Sequence, residues 1–211
     1  WWAVLLVAVA IAGVAFAIGR FTAFDTSATT AATPATDSPE AGFARDMQVH
    51  HGQAVELAMD IYGETENDDV RVLAYDIATT QSAQRGEFYD WLVKWDLPQS
   101  GGPLMSWMDA ADTSHHHGSA PAASDADLMT QMGMASPAEI AALRAETGTA
   151  PDCTFLRLMI RHHEGAVPMA EALVELGTDP RALQVAQGVI DTQSAEIDLM
   201  TALRAGLACS D

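Results

Sequence analysis

The chain has 211 residues, 49 % of them hydrophobic, with 29 Asp and Glu against 10 Lys and Arg for a formal net charge of −19. That much apolar material excludes global disorder, and that much acid excludes a nucleic-acid partner, which needs a basic footprint; it attracts cations instead. Two cysteines are too few for a disulfide scaffold or a cysteine-rich zinc site, whereas ten methionines and seven histidines are many for so short a chain.

Residues 1–20 open the sequence with an uncharged apolar run from Trp1 to Gly19, closed by Arg20. At about 1.5 Å per residue such a run spans roughly the 30 Å hydrocarbon layer, and the paired Trp1 and Trp2 suit an interface. A cleaved signal peptide is the rival reading, but the run is longer than a usual signal core. Residues 21–40 are rich in Ala, Thr, Ser and Pro without an apolar period and read as a linker. The expectation is a single-pass anchor, through residues 1–19, holding an acidic domain at the extracytoplasmic (periplasmic) face of the cell membrane.

Residues 41–208 carry an internal repeat. Phe43, Met47, His50, His51, Ala54 and Val55 recur 112 residues later as Phe155, Met159, His162, His163, Ala166 and Val167, and Thr80-Gln81-Ser82-Ala83 recurs as Thr192-Gln193-Ser194-Ala195. Each copy reads as a helical hairpin. Helices are expected over about Phe43–Tyr62 and Asp69–Trp95 in the first hairpin (41–97). The second hairpin (152–208) gives Phe155–Leu176, with a kink at Pro168, and a last helix from the Asp179-Pro180 cap to about Ala208. Two hairpins predict an all-α four-helix bundle. The insertion between them (98–151) holds a short helix from Pro137 to Glu146, capped by Ser136 and Glu139, and Trp107, read as a packing anchor. Cys153 and Cys209 fall at neighbouring ends of the second hairpin. A disulfide there would stabilise by roughly 4 kcal/mol in the chain-entropy model and requires an oxidising compartment; two free buried thiols are the alternative.

The duplicated Met-x-x-His-His carries the chemistry. On a helix Met47 lies one turn before His50 and His51, and Met159 one turn before His162 and His163, so thioether and imidazole overlap one face. Imidazole suits copper, zinc, iron and nickel, and thioether selects Cu(I). The competing reading makes one His of each pair a staple to the opposite helix and the two methionines core filler. Met132 and Met134, with Met129, form a Met-x-x-Met-x-Met run in the insertion. Met105, Met108, His115, His116 and His117 form a second candidate group there. If this loop is exposed, its methionines need a purpose other than packing.

These segments, together with Gln193-x-x-Glu196-Ile197-x-x-Met200, resemble the bacterial family called domain of unknown function 305 over residues 41–208. The resemblance implies a ferritin-like four-helix bundle outside the cytoplasm, and some members are periplasmic copper-binding proteins. Carried across, it points to Met47, His50, His51, Met132, Met134, Met159, His162 and His163 as metal ligands. The sequence departs from its own repeat at Gln84, where the second copy has Glu196, and Cys153 stands where such proteins often have an acidic residue.

Three functions follow as expectations. The first is copper binding, storage or delivery, as Cu(I) or Cu(II), with other divalent metals possible. The second is an accessory subunit docked on a membrane respiratory or copper-using complex. The third, a di-metal oxidase, is disfavoured: that chemistry needs inward carboxylates and Glu-x-x-His, and the partner helices offer Gln81 and Gln193. No catalytic residues are assigned, and the chain is read as a non-enzyme.

Overall fold

The computed structural model describes residues 33–110 and 124–209. The anchor, most of the linker, and His115, His116 and His117 lie outside the described residues. Among the described residues no helix is long and apolar enough to cross a membrane. From Pro34 onward the described chain is one compact unit. It contains α1 (Pro39–Glu64), α2 (Asp68–Lys94), a 3-10 turn (Ser106–Ala110), α3 (Asp125–Gln131), α4 (Pro137–Ala145), α5 (Ala150–Leu176) and α6 (Pro180–Gly206). All regular structure among the described residues is helical.

The helix starts follow from capping chemistry. Ser38 accepts from the Ala41 N–H and Pro39 fills the first helical position, so α1 begins ahead of the expected Phe43 and takes in residues assigned to the linker. Asn67 caps α2 by accepting from Asp69 and Val70, and Asp179 caps α6 by accepting from Arg181 and Ala182. Ser124 with Asp127 and Ser136 with Glu139 form capping boxes on α3 and α4. The 3-10 turn and α3 were not expected from the sequence, and α5 runs as one helix through Pro168.

Helices α1 and α2 pack as one antiparallel hairpin and α5 and α6 as the other, with α1 against α5 at the centre. The apolar core falls into two clusters. One gathers Phe43 and Met47 of α1, Phe88 and Leu92 of α2, Met169 and Leu173 of α5, and Ala182 and Val189 of α6. The other gathers Leu57 and Ile61 of α1, Leu73 and Ile77 of α2, Phe155 and Met159 of α5, and Met200 of α6. On every long helix the residues between the clusters are polar: His50 and His51, Gln81 and Gln84, His162 and His163, Gln193 and Glu196. A polar layer therefore cuts the bundle at mid-height.

The insertion closes over both clusters. Trp107 packs on Gly42, where a Cβ would lie 2.3 Å from the indole, and its Nε1–H donates to the buried Asp46 at 2.9 Å. The Met132-Gly133-Met134 loop lies on the backbone of α5. Gly133, at φ +72°, and Gly165 meet there so closely that a Cβ on either would approach a backbone oxygen to about 2 Å. Arg161 clamps the loop through Glu139 and the Gly133 and Met134 carbonyls. Gln53 holds Ala135 by both its N–H and its carbonyl, at 2.6 and 2.8 Å. Cys153 and Cys209 form the expected disulfide, with Cα atoms 5.5 Å apart.

Candidate metal centre

His50, His51, His162 and His163 are all fully buried. Because α1 and α5 cross at the layer, the rings of His50 and His162 stack with centroids 3.7 Å apart and planes inclined by 35°. Each is 6.2 Å from its own chain neighbour, and His51 also meets the edge of Phe88 at 5.4 Å.

Every Nε2 is engaged. His50 reaches the carbonyl of Met132 at 2.9 Å, and His162 the carbonyl of His50 at 3.1 Å. His51 meets the Oε1 of Gln84, and His163 the Oε2 of Glu196, each at 2.7 Å. All four partners are acceptors, so Nε2 carries a proton in each ring, and in a neutral ring Nδ1 then presents a lone pair. Burial drives His50 down to about 4 and, with help from the neighbouring His50, His51 to about 3; burial also holds His162 well below the ordinary histidine range. Those three rings are therefore neutral at physiological pH, the state in which imidazole ligates a metal.

None of the four Nδ1 atoms has a hydrogen-bond partner, and neither do the amide nitrogen and oxygen of Gln81 and Gln193 in the same layer. Leaving polar atoms buried and unpaired costs about 1–3 kcal/mol each by mutational measures, so such a concentration is unusual in a finished core. All four histidines thus act as staples through Nε2, and Nδ1 is left without a partner. The four do not form a closed coordination sphere, because among the described residues no three His, Cys, Asp or Glu are grouped so as to hold one ion.

The methionines divide. Met47 and Met159 are fully buried on opposite sides of the layer, since α1 and α5 run antiparallel, so the two thioethers bracket the histidines instead of meeting. Met132 and Met134 are buried in the first cluster, so the condition of an exposed loop is not met by these two, and they also serve the packing. Met105 and Met108 pack partly buried against the same cluster, and Met129 is exposed on α3. Gln81 and Gln193 stand in the sequence as poor substitutes for carboxylates and as part of the recurring Thr-Gln-Ser-Ala segment. Their place in the layer was signalled by their recurrence at the repeat offset. The cleft of about 230 Å³ lined by Arg45, Asp46 and Trp107 lies at the end of the first cluster, away from the histidines.

Comparison with known proteins gives a consistent picture. A DUF305 protein from Streptomyces coelicolor, described as secreted, is 39 % identical, with a TM-score of 0.72 over 84 % of this chain and 98 % of its own. A DUF305 fragment from Deinococcus radiodurans is 32 % identical, with a TM-score of 0.65 over 81 % and 97 %. CopM in its Cu(II)-bound form is 25 % identical, with a TM-score of 0.57 over 81 % and 97 %. No curated protein matches the chain. The model of the family described as Domain of unknown function (DUF305) matches residues 40–204, nearly the whole described domain, and the chain belongs to that family.

Proposed function

We propose that this protein binds copper outside the cytoplasm, taking Cu(I) into the layer at the middle of the bundle. The observation that carries this reading is the set of four buried Nδ1 atoms without a partner, three of them on rings held neutral by burial, in a layer flanked by two thioethers. Neutral imidazole and thioether together favour a soft monovalent copper ion over harder cations, and the acidic surface raises the local concentration of any cation. The carboxylate of Glu196 accepts from Nε2 of His163 and fixes the orientation of that ring, as carboxylates behind ligating histidines do. CopM, which has also been solved with Cu(I) and with Ag bound, supports the choice of metal. The disulfide and the secreted relative support an oxidising, extracytoplasmic location, where the apolar run Trp1–Gly19 would tether the domain to the membrane.

The role is binding, not catalysis, since amides stand at Gln81 and Gln193 where a di-metal oxidase places carboxylates. Copper bound per chain after Cu(I) loading against a competing chelator tests the reading. His50→Ala with His162→Ala should abolish tight binding, whereas Met129→Ala should leave it unchanged. Undiminished copper in the double variant would remove the layer from the site.

A further inference from the structure

The outward face of α2 does not look like the outward face of its own repeat. Val72, Tyr75, Thr79, Ser82, Gly86, Tyr89 and Val93 follow one another at alternating steps of three and four, and all are exposed. The four large ones show 62, 54, 54 and 54 % of their surface. The equivalent positions on α6 are Gln184, Gln187, Asp191, Ser194, Asp198, Thr201 and Ala205, also all exposed. The two helices have the same place in the fold, so α6 shows what a solvated face requires here. The fold does not ask for the apolar seam on α2, which has the spacing of a two-helix interface.

The flanks of the seam select the partner. Along one side lie Arg71 and Arg85, along the other Asp76 and Asp90, and each arginine precedes an aspartate by five residues. That offset pairs opposite charges across a parallel, in-register helix pair, whereas an antiparallel pair would set Asp against Asp and Arg against Arg. Arg71 donates to the neutral carbonyls of Tyr62 and Thr65 and lies over the Tyr62 ring, 6.0 Å from its centroid, without a carboxylate partner among the described residues. Arg85 rests over Gly52 with no ion pair among the described residues, and Asp76 likewise has none. Asp90 has only the exposed Lys94 one turn away, a weak contact. On α6 the four corresponding residues are Leu183, Gly188, Ile197 and Ala202, so seam and charges are missing together.

We propose that α2 is a homodimer seam, in which two copies of this chain pair α2 with α2 in parallel about a twofold axis along the helix. Val72, Tyr75, Ser82, Tyr89 and Val93 then each face their own counterpart, and the small Thr79, Ser82 and Gly86 let the helices approach at mid-length. Because the axis runs along the helices, both copies present the start of α1 at the same end, as two chains tethered to one membrane would need. A single helix pair lies toward the small end of specific interfaces, so the association depends on concentration.

Cross-linking the full chain in mild detergent with a short bismaleimide tests this, because the native cysteines are disulfide-bonded and do not react. Ser82→Cys and Val72→Cys should each give a covalent dimer, and Ser194→Cys, the same residue on the solvated face of α6, should not. Adding Tyr75→Gln and Tyr89→Thr, the residues α6 carries, should remove the dimer from Ser82→Cys. Equal cross-linking of Ser82→Cys and Ser194→Cys would overturn the seam, as would capture of a different protein by Ser82→Cys. Dimer from Ser82→Cys without dimer from Val72→Cys would overturn the parallel arrangement.

Discussion

A methyl group on Gly165 would sit 2.0 Å from the carbonyl oxygen of Met132, and one on Gly133 would sit 2.1 Å from that of Arg161, at a φ that side chains avoid. Neither neighbour is a flexible side chain, so backbone must move. Gly133→Ala is expected to cost about 3 kcal/mol. Gly188→Ala, in the middle of α6 with open space around it, should instead stabilise by about 0.5–1 kcal/mol. Thermal unfolding of the two variants should move the melting temperature in opposite directions. The histidines set the pH response at this scale. His50, His51 and His162 have folded-state values far below their unfolded value near 6.5, so on acidification the unfolded chain takes up protons first. Stability should be flat above that value and fall below it, through the range down to about 4, by up to about 1.4 kcal/mol per pH unit for each ring. Denaturant midpoints between pH 7 and 5 measure this; a midpoint independent of pH would mean the rings are solvated. Burial pushes the Asp46 carboxyl up, which favours the fold on acidification, but only as pH approaches the carboxylate range. The residue types at the layer could be read from the repeat. That Nε2 would be spent and Nδ1 spared could not, because the acceptor for His50 is the Met132 carbonyl, 82 residues away on a loop without a repeat partner.

Among the elements, the α5–α6 hairpin is the one tied covalently. Its two cysteines are 56 residues apart, and replacing both by serine should lower stability by about 4 kcal/mol, a drop in melting temperature on the order of 10 °C. Reductant should have the same effect on the native chain and none on the variant. The four long helices were legible because period, caps and the 112-residue offset agree on each of them. In the insertion the legible features were the helix announced by the capping box at Ser136 and Trp107 as a packing anchor. The 3-10 turn at Trp107 depends on Asp46 accepting both the Met105 N–H and the indole N–H, contacts set by a distant helix instead of local propensity. Whether the loop methionines are exposed was left open for a related reason: it follows from where Arg161 and Gln53 pull the segment, and composition says nothing about that.

At the scale of the whole domain, the polar layer works against stability. Gln81→Leu with Gln193→Leu removes four buried unpaired atoms and joins the two apolar clusters. The metal-free variant should therefore melt higher than the native protein, by about 1–3 kcal/mol for each amide. A lower melting temperature would show that both amides are already satisfied. If the layer receives copper, the same variant should gain less stability on Cu(I) addition than the native chain, by linkage.

The wedge of Met132 and Gly133 enters from one side only. Its floor is Gly165, and the counterpart of Gly165 in the other half is Gln53, which clamps Ala135 instead. A pair built from two first halves would have two clamps and no floor, and a pair built from two second halves two floors and no clamp. What began as interchangeable twins is thus locked into a single ordered polypeptide, and the domain can no longer be reassembled from identical pieces.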